Sequence, residues 1–357
     1  MDQNSKAVLL TDDNFSSSSA KTSHAMVRGP SRFAVMGVVD ATCAGSDAGF
    51  LLDSKPRGIP IYPSIQSMLK TQQPDYCVVG VATKGGVIPP SLRIQILDAI
   101  KAGVSIVNGL HQLLASDDEF TACAEKSGAE LIDIRKPRPV SELQFWSGKI
   151  FDLSVPKIAV LGTDCAIGKR TTSVLLRDSL VAHGLRAEVV YTGQTGWLQG
   201  FKHGFILDAT PNDFVSGELE RAIISCAEEE DPEVILIEGQ SSLFNPSGPC
   251  GLELVISGAV QGVILQHAPA REFYKGMEDL PDCRVVPISR DIELLHSLGK
   301  DVWGLTLSEI DLDEHQAKVE KSKLEATTGI KTYRPLSEEI DSLALAVKDR
   351  LSKGGKV

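Results

Sequence analysis

Residues 157–180, KIAVLGTDCAIGKRTTSVLLRDSL, decide how the C-terminal half of this chain folds. The stretch starts as an apolar strand, turns through a short loop after Gly162, and reaches Gly168 and Lys169 where a helical pattern begins. A strand, a glycine loop and a helix in this order are the context of a phosphate-binding loop, or P-loop. Backbone N–H groups of such a loop and the N-terminus of its helix face an anion. We predict that a phosphate-bearing cofactor is held by Gly162, Thr163, Asp164, Cys165, Ala166, Ile167, Gly168, Lys169, Arg170, Thr171 and Thr172.

This loop departs from the usual spacing G-x-x-x-x-G-K-[ST] at two positions. Thr163 stands where the first glycine is expected, and Arg170 stands where a hydroxyl usually binds magnesium. Arginine has no lone pair to give a metal ion, so Thr171 or Thr172 would have to take over that contact. Lys169 still supplies a positive charge for phosphate oxygens. We predict that this loop binds phosphate without supplying ligands to a metal ion. The alternative interpretation is that the stretch is a plain glycine turn between a strand and a helix.

Hydrophobic patterns downstream of the loop predict a large α/β domain. Apolar runs typical of buried strands alternate with amphipathic helical patterns, which is the arrangement of a parallel sheet with helices on both faces. We therefore predict a P-loop NTPase-like, doubly wound parallel sheet. The predicted strands are 157–161, 187–191, 234–237, 262–266 and 302–305, and the predicted helices are 169–183, 213–228, 290–298 and 337–351.

The N-terminal half shows the same alternation and predicts a Rossmann-like domain. Its continuous apolar run at 76–82, YCVVGVA, is typical of a strand buried on both faces. A serine-rich polar stretch at 12–31 predicts a loop or mobile segment. The proline-containing stretch 135–156 is typical of a connection between domains. We predict that the two domains span residues 1–148 and 149–357.

Composition narrows the class of protein. The chain has 357 residues, of which 42% are hydrophobic, and this is ordinary for a soluble globular protein. Its formal net charge of -11 argues against nucleic acid as a partner, and no stretch approaches the roughly 20 apolar residues that cross a bilayer. Seven scattered cysteines form no C-x-x-C pair. We expect a cytoplasmic homo-oligomer that acts on a small-molecule substrate, with neither a nucleic-acid nor a membrane partner.

Further candidate site residues follow the predicted strands. Glu238 ends the strand in EVILIEGQ (233–240), where a carboxylate points into the ligand crevice of a parallel sheet and can hold a metal or act as a base. His267 and Arg271 follow another strand in LQHAPAR (265–271). We predict that His267 acts as a base and that Arg271 binds an anion. The alternative interpretations are that Glu238 is only a solvated acid at the end of its strand and that His267 has a structural role.

For two other stretches, the sequence pattern alone leaves two interpretations open. Gln194 and Thr195 lie in YTGQTGW (191–197), which is typical either of a loop moulded on a substrate or of an ordinary glycine-rich connection. Asp213 precedes a helical pattern and is either the helix N-cap or an active-site acid. Lys202, with Arg271, is a candidate to hold substrate carboxylates. Our catalytic candidates are therefore His267, Glu238 and Asp213.

These motifs together resemble known families. GTDCAIGKRTT (162–172) and the Glu-Gly of LIEGQ are similar to the deviant phosphate loop and strand-end acid of dethiobiotin synthetase-like enzymes. The full set resembles more closely a domain family that includes DgcN-type D-glutamate N-acetyltransferases. Its motifs are GTDCAIGKRTT, YTGQTGW (191–197), DFVSGELE (213–220), IEGQSSLFNP (237–246) and QHAPAR (266–271).

The resemblance spans nearly the whole chain and implies an enzyme with a Rossmann-like and a P-loop domain. It implies acetyl transfer from acetyl-CoA to the amino group of a D-amino acid, chiefly D-glutamate. The pyrophosphate and ribose phosphate of coenzyme A suit a P-loop as well as ATP does. The alternatives are an ATP- and magnesium-dependent ligase or kinase resembling dethiobiotin synthetase, and a nucleotide-binding protein without turnover.

Overall fold

The computed structural model describes residues 5–337 and 339–354, which form two units. The N-terminal unit runs to Arg138 and also contains the later segments Gly193–Lys202 and Asp208–Thr210. The C-terminal unit contains Pro139–Thr192, His203–Leu207 and the chain from Pro211 onward. Among the described residues, no helix has the length and apolar character that a membrane span requires.

The N-terminal unit is built on a fully parallel sheet with strand order β3-β2-β1-β4-β5-β6, which is the Rossmann order. Its interior is apolar because strands such as β1 and β4 are buried along nearly their whole length. The elements are β1 (Lys6–Leu10), α1 (Lys21–Arg28), β2 (Ala34–Val39), α2 (Ala48–Asp53), β3 (Ile61–Tyr62), α3 (Ile65–Leu69), β4 (Tyr76–Val79), α4 (Pro90–Lys101), β5 (Ser105–Asn108), α5 (Asp118–Ser127) and β6 (Leu131–Asp133). The predicted Rossmann-like fold is confirmed.

The C-terminal unit has a second parallel sheet, with strand order β12-β11-β10-β7-β9-β8. Strand β7, which leads into the predicted P-loop, is central and buried at every residue. The elements are β7 (Lys157–Gly162), α6 (Lys169–Ala182), β8 (Ala187–Val190), α8 (Asn212–Glu230), β9 (Val234–Glu238), α9 (Leu252–Ile256), β10 (Gly262–His267), α10 (Ile288–Ser297), β11 (Asp301–Leu307), α11 (Glu314–Thr328), β12 (Thr332–Tyr333) and α12 (Ile340–Gly354). The P-loop type of fold is confirmed, and β7 lies between β9 and β10.

The interpretation of residues 12–31 as a loop or mobile segment is wrong for its second half. A short 3-10 helix at Ser18–Ala20 leads directly into α1. The Ser17 hydroxyl accepts a hydrogen bond from the Ser19 amide, and Met26 and Val27 of α1 are buried in the apolar core. The polar composition concealed this helix, because its serines cap and flank it while few apolar residues anchor it.

Helix α7 (Gln194–Leu198) follows β8 along the chain but belongs to the N-terminal unit. Leu198 is fully buried in the apolar core of that unit. The Arg32 guanidinium lies 4.3 Å from the Trp197 ring centroid, and its Nε donates to the Trp197 carbonyl over 2.8 Å. Burial of Leu198 and stacking of Trp197 thus stabilise this segment within the N-terminal unit.

Candidate phosphate-binding site

The loop between β7 and α6 has the strand–loop–helix geometry of a P-loop. Ala166 and Gly168 have positive φ angles of 53° and 110°, and the second is a conformation that favours glycine. The Thr163 amide donates to the Gln266 carbonyl over 3.0 Å, which attaches the loop to β10. Helix α6 then begins at Lys169, so the free amides of its first turn face the loop.

Lys169 is turned inward and is only 7% exposed. Its Nζ donates to the Asp164 carbonyl at 2.6 Å and to the Ser241 carbonyl at 2.7 Å. The ammonium therefore lies between the phosphate loop and the segment that follows β9. Two backbone carbonyls hold the charge in place, which lowers the ordering cost of contacting a phosphate oxygen.

Arg170 makes an ion pair with Glu238 inside the unit. Glu238 is 3% exposed, and its carboxylate also accepts a hydrogen bond from the Thr192 amide at 3.2 Å. Burial lowers the pKa of Arg170, while the charge and the hydrogen bond of Glu238 oppose that shift. The guanidinium thus links the first turn of α6 to the acid that ends β9.

The hydroxyl of Thr172 is directed at β10. Thr172 Oγ1 donates to Gln266 Oε1 over 2.6 Å, and Thr306 Oγ1 donates to the same oxygen over 2.6 Å. This three-residue network is buried. It gives Thr172 a structural contact, and it aligns α6 with β10 and β11 behind the phosphate loop.

Asp164 is the anchor of a second polar cluster at the loop. Its carboxylate accepts from Asn245 Nδ2 at 3.2 Å, from Arg271 at 2.8 Å and from the Lys275 amide at 2.9 Å. Arg271 also donates to the Cys165 carbonyl at 2.6 Å. The predicted anion clamp Arg271 thus lies at the P-loop, where it is paired with Asp164.

His267 ends β10 beside the phosphate loop. Its Nδ1 is 3.0 Å from Thr163 Oγ1. Burial lowers the His267 pKa to about 4, with a smaller contribution from the charge of Lys323. The imidazole is therefore neutral at pH 7. His267, Glu238 and Arg271 all lie at the carboxyl edge of this sheet, as the sequence predicted.

Of the YTGQTGW segment, Thr192 contacts Glu238, whereas Asp213 does not contact this group in the described part of the chain. Asp213 is exposed in the first turn of α8, and Pro211 is the N-cap, so the capping interpretation of Asp213 is wrong. Within residues 5–337 and 339–354, no hydrogen bond or ion pair reaches its carboxylate. Gln194, Thr195 and Lys202 belong to the N-terminal unit, where Thr195 Oγ1 lies 2.9 Å from Thr22 Oγ1. Their predicted roles remain predictions.

One group of potential metal ligands occurs in the part of the chain that the structure describes. Ligand atoms of His203, Glu229 and Glu230 lie within 4.8 Å of one another. His203 Nε2 is 3.1 Å from the Glu230 carboxylate, an ion pair when the imidazole is protonated. None of the three residues belongs to the phosphate loop.

Two buried polar groups of the C-terminal unit, Asp291 and Tyr274, were not predicted from the sequence. Among the described residues, neither carboxylate oxygen of Asp291 nor the Tyr274 hydroxyl has a hydrogen-bond partner of normal geometry, and these atoms are buried. Burial raises the Asp291 pKa to about 7, against a hydrogen bond from its own backbone amide. Asp291 lies in the first turn of α10, where an acid is ordinary, so no local pattern distinguishes it.

Comparison with known proteins agrees with this architecture. A family described as "Domain of unknown function (DUF1611_C) P-loop domain" matches residues 144–344, and one described as "Domain of unknown function (DUF1611_N) Rossmann-like domain" matches residues 41–137. A crystal structure of a DUF1611 family protein from Anabaena variabilis is 30% identical, with a TM-score of 0.86, and covers 97% of this chain and 100% of that one.

Two relatives carry a name for an activity. A protein of Tritonibacter scottomollicae named D-glutamate N-acetyltransferase is 30% identical over 266 residues, which cover 72% of this chain and 76% of that protein. A Pseudoalteromonas protein of the same name is 29% identical over 273 residues, or 74% of this chain and 79% of the relative. With a Rossmann-like and a P-loop domain in this order, the chain belongs to the DUF1611 family.

Proposed function

We propose that this chain is an N-acetyltransferase that moves an acetyl group from acetyl-CoA to the amino group of D-glutamate. The two relatives named D-glutamate N-acetyltransferase support the reaction and the substrate. The P-loop architecture supports a phosphate-bearing donor. On this proposal the phosphate loop and the N-terminus of α6 hold the phosphates of coenzyme A.

The Arg170–Glu238 ion pair is the observation that supports acetyl-CoA, and not ATP, as the phosphate-bearing ligand. ATP-dependent P-loop enzymes need a magnesium ion that bridges phosphate oxygens and is held near a strand-end acid. Here a permanently charged guanidinium neutralises that acid, and the Thr172 hydroxyl is bonded to Gln266. The site therefore favours an anionic ligand whose binding needs no metal ion. Acetyl-CoA fits this requirement better than ATP.

Acetyl transfer to an amine needs two protons to leave the ammonium group. One must leave before the nitrogen attacks the thioester carbonyl. The other leaves as the carbon–sulfur bond breaks and the thiolate becomes the thiol of coenzyme A. A proton acceptor must lie within hydrogen-bond reach of the nitrogen in each step.

Among the predicted catalytic residues, His267 best suits a proton-transfer role. Its low pKa keeps the imidazole neutral at pH 7. A base with a pKa of about 4 is weak, so on this proposal the bound substrate raises the His267 pKa before the proton is transferred. Glu238 is already bonded to Arg170 and the Thr192 amide, so it serves to hold the arginine. Asp213 lacks a contact with the loop within the described residues. Arg271 is the proposed contact for a substrate carboxylate, which would compete with Asp164 for the guanidinium.

The direct test mixes purified protein with acetyl-CoA and D-glutamate, in EDTA, and follows free thiol and N-acetylglutamate by mass spectrometry. We expect product at the same rate with and without added magnesium. L-Glutamate and glutarate are the stereochemical and amine-free controls. A protein that makes no product here but converts ATP to ADP in the presence of magnesium and an acceptor would be the ligase or kinase instead.

A companion test addresses His267. His267→Ala should lower the rate of acetyl transfer by about a hundredfold or more, because a general base contributes typically that much. His296→Ala is the matched control, since His296 is an exposed histidine on α10. Equal rates for the two variants would remove His267 from the mechanism.

A further inference from the structure

A histidine and two glutamates of the C-terminal unit bring three potential metal ligands together outside the phosphate loop. His203 lies in the segment 203–207, and Glu229 and Glu230 are the last two residues of α8. One ligand atom of each side chain lies within 4.8 Å of the other two. Imidazole nitrogen and carboxylate oxygen are both ordinary zinc ligands, and many zinc sites use three protein ligands and one water molecule. The three side chains therefore offer a complete protein ligand set for zinc.

Backbone contacts hold His203 next to the end of β8. The Tyr191 amide donates to the His203 carbonyl at 3.1 Å, and the Phe205 amide donates to the Tyr191 carbonyl at 3.1 Å. Gly204 has a φ angle of 152°, and a Cβ at this position would lie 2.3 Å from the Tyr191 carbonyl oxygen. Only glycine permits this close approach. The His203 side chain is 5% exposed, so its imidazole is already ordered before a ligand arrives.

The separation of His203 and Glu230 suits a shared zinc ion. His203 Nε2 is 3.1 Å from Glu230 Oε1. Two ligand atoms that each lie about 2.0–2.1 Å from a tetrahedral zinc ion are about 3.3 Å apart, so this pair needs little rearrangement. Glu229 is exposed, and rotation of its side chain can close the remaining distance. The exposed carboxylate also leaves the buried imidazole with a path to a metal ion in solvent.

The charge around these ligands favours a cation. Helix α8 ends in three consecutive glutamates, residues 228–230, and its last turn contains no basic residue. The C-terminal end of a helix carries partial negative charge, so acids there are unfavourable and a cation is favoured. Glu188 of β8 lies near the group: burial raises its pKa, the charge of Arg177 opposes this shift, and the charge of Glu230 adds to it.

We propose that His203, Glu229 and Glu230 bind a zinc ion, with water as the fourth ligand. The ion joins the end of α8 to the segment 203–207. Binding stabilises the folded C-terminal unit, because the unfolded chain does not hold the three ligands together. Magnesium and calcium are poorer occupants, since both prefer oxygen ligands alone. The site goes beyond the proposed acetyl transfer, which requires no metal ion.

The test is a zinc titration of the full chain, stripped with EDTA and then desalted, in competition with a chromophoric chelator. Wild-type protein should bind one zinc ion at this site, and zinc but not magnesium should raise its unfolding temperature. His203→Ala should lower zinc affinity by about a hundredfold or more, and Glu229→Gln by about tenfold. His296→Ala is the matched control, because His296 Nε2 lies 3.9 Å from the Asp301 carboxylate and both side chains are exposed. It should bind zinc as the wild type does.

Every outcome of the titration bears on the proposal. A wild-type protein that binds no zinc at micromolar free metal overturns it, and so does a folded His203→Ala variant with wild-type affinity. The second result would also identify zinc held by cysteines, since those remain in every variant. If His203→Ala fails to fold, Glu229→Gln decides by the same titration, because its side chain is exposed. Magnesium binding as tight as zinc binding would overturn the choice of metal.

Discussion

Asp40 in the N-terminal unit and Asp291 in the C-terminal unit are both almost fully buried, yet their pKa values shift in opposite directions. The Asp40 carboxylate, just after β2, accepts from Thr11 Oγ1 at 2.8 Å, from the Phe15 amide at 2.7 Å and from the Thr42 amide at 3.1 Å. Burial alone would raise the Asp40 pKa, but these hydrogen bonds outweigh burial and lower it. In the part of the chain that the structure describes, only the backbone amide of Asp291 itself opposes burial, which raises the Asp291 pKa to about 7.

The difference separates a buried acid that several neighbouring groups hydrogen-bond from one without such partners in the described residues. In dinucleotide-binding Rossmann domains, the acid after the second strand holds a ribose hydroxyl. Here the chain itself satisfies Asp40, and the turn after β1, TDDNF (11–15), contains no glycine for a pyrophosphate. The two sheets share a parallel architecture, so the partners of the two buried acids, and not the topology, distinguish their chemistry.

The largest effect should come from removing the partner of a buried charge. Arg170→Met leaves the Glu238 carboxylate buried and unpaired, which should lower the stability of the C-terminal unit by about 3–5 kcal/mol. Thermal and urea unfolding would measure this loss. Arg170→Met combined with Glu238→Gln should recover much of it. A single variant as stable as the double variant would mean that the ion pair is open to water.

Asp291→Asn should change how stability depends on pH. A raised pKa means that the folded state binds the proton more tightly, so Asp291 lowers stability progressively as pH rises from about 4 to about 7. Over roughly three pH units this amounts to at most about 4 kcal/mol. The variant should gain stability relative to the wild type between pH 4 and pH 8. Parallel unfolding curves for the two proteins across that range would contradict the buried, unpartnered state of this carboxyl.

Lys169→Ala should weaken acetyl-CoA binding by about ten- to a hundredfold, because one charge-assisted contact to phosphate is lost. Lys84→Ala is the matched change in the N-terminal unit, since Lys84 is an exposed lysine in the glycine-containing turn after β4. Calorimetry of both variants compares the two turns directly. Unchanged affinity for acetyl-CoA and for ATP in Lys169→Ala would refute a phosphate role for the loop, and a loss in Lys84→Ala would point to a second phosphate site.

Thr42→Val should have the smallest effect. It removes the hydroxyl that donates to Asp40 and should cost about 1 kcal/mol at pH 7. Because the folded-state pKa of Asp40 is lowered, the stability it contributes is present above its unfolded pKa and is lost as pH falls through the folded value. The cost of Thr42→Val should therefore disappear in acid. An equal cost at pH 7 and in acid would show that packing, and not hydrogen bonding to the carboxylate, explains the effect.

Local pattern was enough to predict the framework of the site. Continuous apolar strands, Gly168 before a helix and strand-end Glu238 and His267 are all features of neighbouring residues, and parallel sheets bring strand ends to one edge. The helix within 12–31 was missed because serine caps resemble a loop in composition. The position of α7 was missed because it depends on the packing of Trp197 and Leu198 in another unit.

The sequence by itself determined two parallel α/β units, the P-loop and the residues at its strand ends, because these follow from periodicity and short motifs. Only the tertiary structure decided which charges are satisfied. It paired Arg170 with Glu238 and Arg271 with Asp164, and within residues 5–337 and 339–354 it left the Asp291 carboxylate without a side-chain partner. Hydrogen bonds and burial between residues distant along the chain set these outcomes, and no local pattern encodes the distance between two side chains.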